Sequence, residues 1–353
     1  MSFSEYDVDR RTRKGNFLKQ IDFLIDWDAI TQEINQHYQP KTDVVGRPAY
    51  PGILLFKMLL VGIWNGGLSD EAVEDMANSN LHVMRFLGIQ LEDCVPDHSV
   101  LSRFRTALTK ARAWDSLLES INQQLASLNA MLSDGYHVDA SVTIAQLKPK
   151  GRPTYEVSTD RAAHDDEPQA KQAMTVLTVA NAGVDTEARW TKKGGQYLFG
   201  YKQHTLVNND GLVQGVVTTA ANTHDSQPFV GLLDQCDLPI GTRICADKAY
   251  ASAAHSVHLK TKGLKNGLQD KAVRGKPLTT RQKARNQCIS RIRFVVERTF
   301  GGQALWFGGK NLRYVGLDKA HAWHMLLAMA YNLKRLPVLW VKRNFALKQI
   351  QCA

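Results

Sequence analysis

The segment GYHVDASVT, residues 135–143, decides how this chain folds. Its β-branched and aromatic residues follow a long stretch with no alternating pattern, so it predicts the first strand of a sheet. Outward from it, YLFGYKQHTLVN (197–208), GLVQGVVTTAAN (211–222) and TRICAD (242–247) predict three further strands. NNDG (208–211) lies where the middle pair would turn, a strong hairpin signal. Upstream, residues 16–130 read as helical. In LSDEAVEDMANSN (68–80), Leu68, Ala72, Val73 and Met76 recur at helical spacing and Ser69 can cap. Pro96–Asp97 starts a helix whose apolar stripe is Val100/Leu101, Phe104 and Leu108. Arg103, Arg105 and Lys110 lie off that stripe, as on a recognition helix or on an ordinary amphipathic helix with solvated charges. The segment QLKPKGRPTYEVSTDRAAHDDEPQAKQ (146–172) is polar and Pro-containing and predicts a mobile insertion over about residues 145–190. The expected organisation is a helical region 1–130, an α/β region 131–340 and a basic tail 341–353.

Three segments each carry one acid: HVDAS with Asp139, ICADKAY with Asp247 and RIRFVVERTFG with Glu297. The first two read as strands, where a carboxylate is costly to bury without a cation. Asp139 could instead cap a turn, and Asp247 could cap the following helix. The third acid sits on a predicted helix from Arg285. With Ile289 as origin, Arg293 falls at about 40° and Glu297 at about 80°, one edge of the stripe made by Ile289, Val296 and Phe300. Arg293 and Glu297 could form a surface ion pair. Brought together, the three carboxylates would hold two divalent metals about 3.5–4 Å apart, an arrangement suited to in-line attack on phosphodiesters. Oxygen-only donors suit magnesium, with manganese as substitute.

The formal net charge is +10 over 353 residues. Residues 1–130 hold 13 Lys/Arg against 17 Asp/Glu, and residues 131–353 hold 31 against 17, so the basic half is the half with the acids. That is the electrostatic footprint of a polyanion binder. Twelve of the cations fall in residues 260–298 against two acids: Lys260, Lys262, Lys265, Lys271, Arg274, Lys276, Arg281, Lys283, Arg285, Arg291, Arg293 and Arg298. Such a run is a solvated face or a phosphate clamp. Cys94, Cys236, Cys245, Cys288 and Cys352 show neither disulfide nor zinc spacing. The polar N-terminus MSFSEYDVDRRTRKG is unlike a signal peptide, and PGILLFKMLLVGIW (51–64), short and broken by Lys57, predicts a core helix before a membrane span. His224–Asp225 reads first as a turn, with a secondary role near the metals as the alternative.

Beyond the acids, the matching pieces are GRPAYPGILLFKMLLVGIWNGGLSDEAVEDMANSN (46–80), PDHSVLSRFR (96–105), DGYHVDAS (134–141), KKGGQYLFGYKQH (192–204), GLVQGVVTTAANTHDS (211–226), ADKAYAS (246–252), and the block from ISRIRFVVERTFG (289–301) to MAYNLKRL (329–336). In this order they resemble bacterial insertion-sequence transposases of the acidic-triad (DDE) superfamily, in the branch typified by insertion sequence five. The resemblance implies an α+β chain, a helical N-terminal domain for DNA binding and oligomerisation followed by a ribonuclease H-like α/β catalytic domain with a mixed sheet. It implies Asp139, Asp247 and Glu297 as metal ligands, Arg293 beside them, and two Mg2+ ions. The implied partners are double-stranded DNA, as inverted-repeat ends and target, and further copies of the chain, a dimer or more; the implied setting is the bacterial cytoplasm and nucleoid. Expected DNA contacts are Arg103, Arg105, Lys271, Arg274, Lys276, Arg281, Lys283, Arg285, Arg291 and Arg298. The branch signature places a Tyr at position 290 and a Lys at 304, where this chain has Ser290 and Ala304; Lys310 and Arg313 are the candidates to replace that Lys. A ribonuclease H-like nuclease without strand transfer and a non-catalytic DNA-binding repressor are the alternative functions.

Overall fold

The computed structural model describes residues 16–38, 49–131, 135–149, 154–159, 174–179 and 183–351. The helical region contains α1 (Phe17–Leu24), α2 (Trp27–His37), α3 (Gly52–Trp64), α4 (Asp70–Ser79), α5 (Leu81–Leu87), α6 (His98–Lys110) and α7 (Trp114–Ser127). Side-chain caps fix most of the starts: Ser69 accepts from Ala72 N–H and Asp97 from Val100 N–H. Helix α3 is apolar nearly all round and is buried from Leu55 to Ile63 apart from Lys57, as the sequence predicts.

The sheet is built from β1 (Gly135–Ala145), β4 (Arg189–Lys193), β5 (Gln196–Asn208), β6 (Val213–Ala220), β7 (Arg243–Ala246), β8 (Lys265–Leu268) and β9 (Asn311–Leu312), and a separate hairpin pairs β2 (Thr154–Thr159) with β3 (Met174–Val179). Strand β5 runs antiparallel to β1 and β6 antiparallel to β5, whereas β7 is parallel to β1 and β8 parallel to β7. The order β6–β5–β1–β7–β8 with that change of direction is the ribonuclease H-like arrangement. At the turn, Asn208 Oδ1 accepts from Asp210 and Leu212 N–H, and Gly211 takes the left-handed φ of 83° that glycine adopts without strain. On the edge of β1 opposite β5, β7 pairs with residues 135–137 and β9 with 144–145. Between them, among the described residues, that edge has no strand neighbour, the kind of switch point at which open α/β sheets bind ligands.

Helices α8 (Phe229–Asp234) and α9 (Ala253–Thr261) cover one face of the sheet around Val138, Leu206, Ile244 and Tyr250. The other face is covered by α10 (Thr280–Phe307) and α11 (Leu317–Gln351). Helix α11 also packs on α3 and α7, so one apolar core runs from Ile30 and Leu60 through Leu326 to Val213. Polar links cross the same seam: Trp64 Nε1 donates to Ala330 O at 3.0 Å, and the Asn332 amide accepts from Val213 N–H and donates to Val213 O and Asn122 Oδ1, each at 2.8 Å.

Three expectations change in detail. The insertion around 145–190 contains the end of β1, the β2–β3 hairpin and the start of β4, and its residues 150–153, 160–173 and 180–182 lie outside the described residues. The helix bearing Glu297 starts five residues before Arg285, with Thr279 and Gln282 forming a capping box. Residues 341–351 continue α11 instead of forming a tail, and 352–353 lie outside the described residues.

Candidate active site

Residues 137, 139, 141 and 143 of β1 share the face toward α10 and α11 and are all polar: His137, Asp139, Ser141 and Thr143. Their alternates Tyr136 and Val138 pack into the α8–α9 core. Asp139 is therefore in mid-strand, held on its face by the hydrophobic demand of its neighbours. His137 pairs with Cys245 across the parallel β1–β7 ladder, so two residues further on Asp139 and Asp247 come level. Asp247 sits just past β7 and caps the short turn Lys248–Tyr250 by accepting from Ala249 N–H at 2.8 Å. It serves as a cap and at the same time acts electrostatically on Asp139.

Asp139 Oδ1 accepts from Ala140 N–H at 2.9 Å, and its Oδ2 lies 3.3 Å from Arg293 Nη1. Burial pushes its carboxyl above the usual carboxylate range and Asp247 adds to the rise, while Arg293 pulls it down. Arg293 Nη2 is 3.7 Å from Glu297 Oε1, one helical turn on. Arg293 is 14% exposed and Glu297 54%. The guanidinium thus links the helix acid to Asp139, and Glu297, at the edge of the helix stripe, is turned outward. Arg293 Nε and Nη1, Thr205 Oγ1 and Gln303 Nε2 are buried without a hydrogen-bond partner among the described residues. Tyr250 lies beneath; burial and the charges of Asp139, Asp225 and Asp247 raise its pKa. Asp225 itself pairs with Lys202 Nζ at 2.7 Å, which also donates to Thr223 O.

Lys310 Nζ donates to Ser141 Oγ at 2.8 Å, two residues from Asp139 on the same face. Burial and nearby Lys193 hold its pKa below the ordinary lysine value. Arg313 instead lines a cleft of about 550 Å3 with Arg103, Ser69, His98 and Tyr314. Nothing in local spacing linked Lys310 to Ser141; the turn Gly308–Gly309 after α10 carries it back to β1, where Lys310 O accepts from Ile144 N–H.

Lys271, Arg274, Lys276, Arg281, Lys283, Arg291 and Arg298 are exposed on the β8–α10 loop and on α10. Arg298 also donates to Asp210 O at 3.2 Å. The expected DNA contact at Arg105 is corrected, whereas Arg285 stays partly exposed. Arg105 is 7% exposed, donates to both oxygens of Asp70 at 3.0 and 2.6 Å, and lies 4.3 Å from the Tyr314 ring centroid, so its charge is spent inside the protein. Arg285 is tied to Leu268 O at 2.7 Å, Asp270 at 3.0 Å and Asn266 O at 3.1 Å, fastening α10 to the end of β8.

For a divalent cation the donors are the right kind, carboxylate oxygens suited to magnesium or manganese. Two level aspartates, only Asp139 of them shown paired with the Arg293 guanidinium, and unpaired polar atoms in the wall beside them leave room for further positive charge. In this conformation no three His, Cys, Asp or Glu side chains among the described residues are close enough to hold a metal, and Glu297 is joined to Asp139 through Arg293. Among the described residues no helix is long and apolar enough to cross a membrane.

The family model for a transposase DDE domain matches residues 158–333, and that for a transposase domain (DUF772) matches residues 6–107; Asp139 lies between the two. The chain is 36% identical over 232 residues to the transposase for insertion sequence element IS1106 of Neisseria meningitidis serogroup B, an alignment covering 65% of this chain and 75% of that protein. The cryo-EM structure of the piggyBac transposase synaptic complex with hairpin DNA superposes with a TM-score of 0.43 and 11% identity, over 96% of this chain and 77% of that one.

Proposed function

The chain belongs to the bacterial insertion-sequence transposases of the acidic-triad (DDE) superfamily, and from that membership we propose that it cleaves the ends of an insertion sequence and joins the freed 3′ hydroxyl to target DNA. The level placement of Asp139 and Asp247 at the unpaired edge of β1, with Glu297 tied to Asp139 through Arg293, is the observation that carries the reading. Asp139, Asp247 and Glu297 would hold the metals, the exposed Glu297 side chain turning toward the aspartates to do so. Two magnesium ions, or manganese in their place, would activate the attacking water and stabilise the leaving oxygen.

Lys310 takes the place of the Lys that the branch signature has at position 304. Its support is the contact with Ser141 on the face of Asp139, whereas Arg313 belongs to the other cleft. The exposed cations from Lys271 to Arg298 track phosphates along the bound duplex, while Arg103 and Arg313 meet DNA at the α6 cleft and contribute to recognition of the ends. Joining two ends in one coordinated reaction calls for two active sites, so the acting species on DNA is at least a dimer, working at the nucleoid of the bacterial cytoplasm.

Purified protein with labelled element ends, a supercoiled plasmid and Mg2+ tests the reading. Joined product is expected. Nicking without joining would identify a nuclease, and duplex binding without nicking a repressor; either would overturn it.

A further inference from the structure

Thr205 stands directly opposite Asp139 in the antiparallel β1–β5 register. Opposed residues in such a ladder project to the same face with their Cβ atoms close together, so the hydroxyl and the carboxylate share one space. Thr205 is fully buried, and its Oγ1 has no hydrogen-bond partner among the described residues. Its neighbours on that face are satisfied: Gln203 donates to Gln303 Oε1 at 3.2 Å, and Ser141 accepts from Lys310. A buried hydroxyl without a bond is costly, and valine would fill the same shape without that cost. The carboxylate of Asp139 has capacity to spare, since Oδ2 faces Arg293 Nη1 in an ion pair whose hydrogen-bond geometry is unmade.

We propose that Thr205 is a positioning residue whose hydroxyl, unpaired in this conformation, turns to donate to Asp139 and fixes the carboxylate in the orientation that meets a divalent cation. This rests on the reading of Asp139 as a metal ligand. Residues that orient a ligand through such a bond typically change metal affinity by about tenfold or more when removed.

The test uses the full chain without DNA, with Mn2+ binding followed by the electron paramagnetic resonance of the free ion and thermal midpoints recorded in parallel. Thr205→Val is expected to keep or raise the midpoint of the metal-free protein and to bind Mn2+ about tenfold more weakly, and Thr205→Ser to restore wild-type affinity. In an Asp139→Asn background, adding Thr205→Val should bring no further loss, and this comparison decides the matter even if the valine variant is less stable. Wild-type affinity in Thr205→Val, no rescue by serine, or a further loss in the Asp139→Asn background would each overturn the assignment. Undiminished Mn2+ binding by Asp139→Asn alone would instead remove Asp139 as a ligand and sink the underlying reading.

Discussion

Arg293 reaches Asp139 across the interface between helix α10 and strand β1, its Nη1 lying 3.3 Å from Oδ2. The guanidinium is thus the compensating cation of a buried, acid-lined wall. Replacing it with glutamine should leave Asp139 and Asp247 facing each other unneutralised. Removing one partner of a buried pair costs about 3–5 kcal/mol, and with one fifth of Asp139 exposed about 2–3 kcal/mol is expected. Urea unfolding of Arg293→Gln measures this. Added Mn2+ should raise the thermal midpoint of the variant more than that of the wild type, since the ion supplies the missing charge.

Asp139→Ala, Asp247→Ala and Glu297→Ala should each abolish cleavage and joining, a loss of at least about a thousandfold, while duplex affinity stays within about threefold because no cation is removed. Gel-shift and end-joining assays on the same preparations separate the two effects. A variant that joined ends at the wild-type rate would remove its residue from the triad.

Arg103 and Arg105 are neighbours in sequence with opposite fates, one exposed and one buried against Asp70 and Tyr314. Arg105→Ala should cost about 2–4 kcal/mol in unfolding free energy, somewhat below the usual penalty because Asp70 keeps some access to water. Arg103→Ala should leave stability within about 0.5 kcal/mol and reduce the preference for end DNA over random DNA. Unchanged preference in Arg103→Ala would reject α6 as a recognition element.

If about six cations of the 260–298 segment meet phosphates, affinity for random duplex should fall with a log–log salt slope near about −5, from about −0.9 per contact. Neutralising the exposed Lys271, Arg274 and Lys276 together should make that slope shallower by up to about three units. A salt series on wild-type and triple-variant protein checks it; an unchanged slope rejects the clamp.

His324 is fully buried between Thr143 and Thr218, with its pKa pushed down to about 3, and His204, also buried, falls to about 4. Burial keeps both neutral in the folded chain, while the unfolded chain takes up their protons below about pH 6.5. Their contribution to stability is therefore intact above that pH and is lost as pH falls toward 4, by up to about 1.4 kcal/mol per pH unit for each. Asp139 acts in the opposite sense: its raised pKa favours the folded chain at acid pH, a contribution lost as pH rises through its folded value. Urea midpoints between pH 7 and 4 should show the histidine-driven decline, and His324→Gln should flatten it by about one proton's share.

Four of the strands (β1, β5, β6 and β7), the hairpin turn and the helical first third were legible because each is a local pattern: alternation in GYHVDASVT, NNDG at the turn, Ser69 and Asp97 as caps; β2, β3, β4, β8 and β9 were not read. The likeness of the acidic segments to a known family named the three acids. What could not be read was the company they keep. Arg293 was placed by its spacing to Glu297, but its reach to Asp139 joins residues 154 positions apart. Lys310 meets Ser141 over 169 positions and Arg105 meets Asp70 over 35. Arg105 lies off the apolar stripe by helical periodicity, yet α4 and Tyr314 close over it, and no pattern within α6 announces that. Thr205 carries no signal at all until its partner strand is known.

The carboxamide of Asn332 ties the last long helix to both the first third of the chain and the sheet. A bioengineer hoping to retarget the enzyme by transplanting residues 1–130 from a relative would sever that knot along with the Trp64–Ala330 contact and an uninterrupted oily interior. The halves are grown together like two stones sharing one mortar, so altered specificity is better sought by resurfacing the exposed side of α6 than by swapping parts.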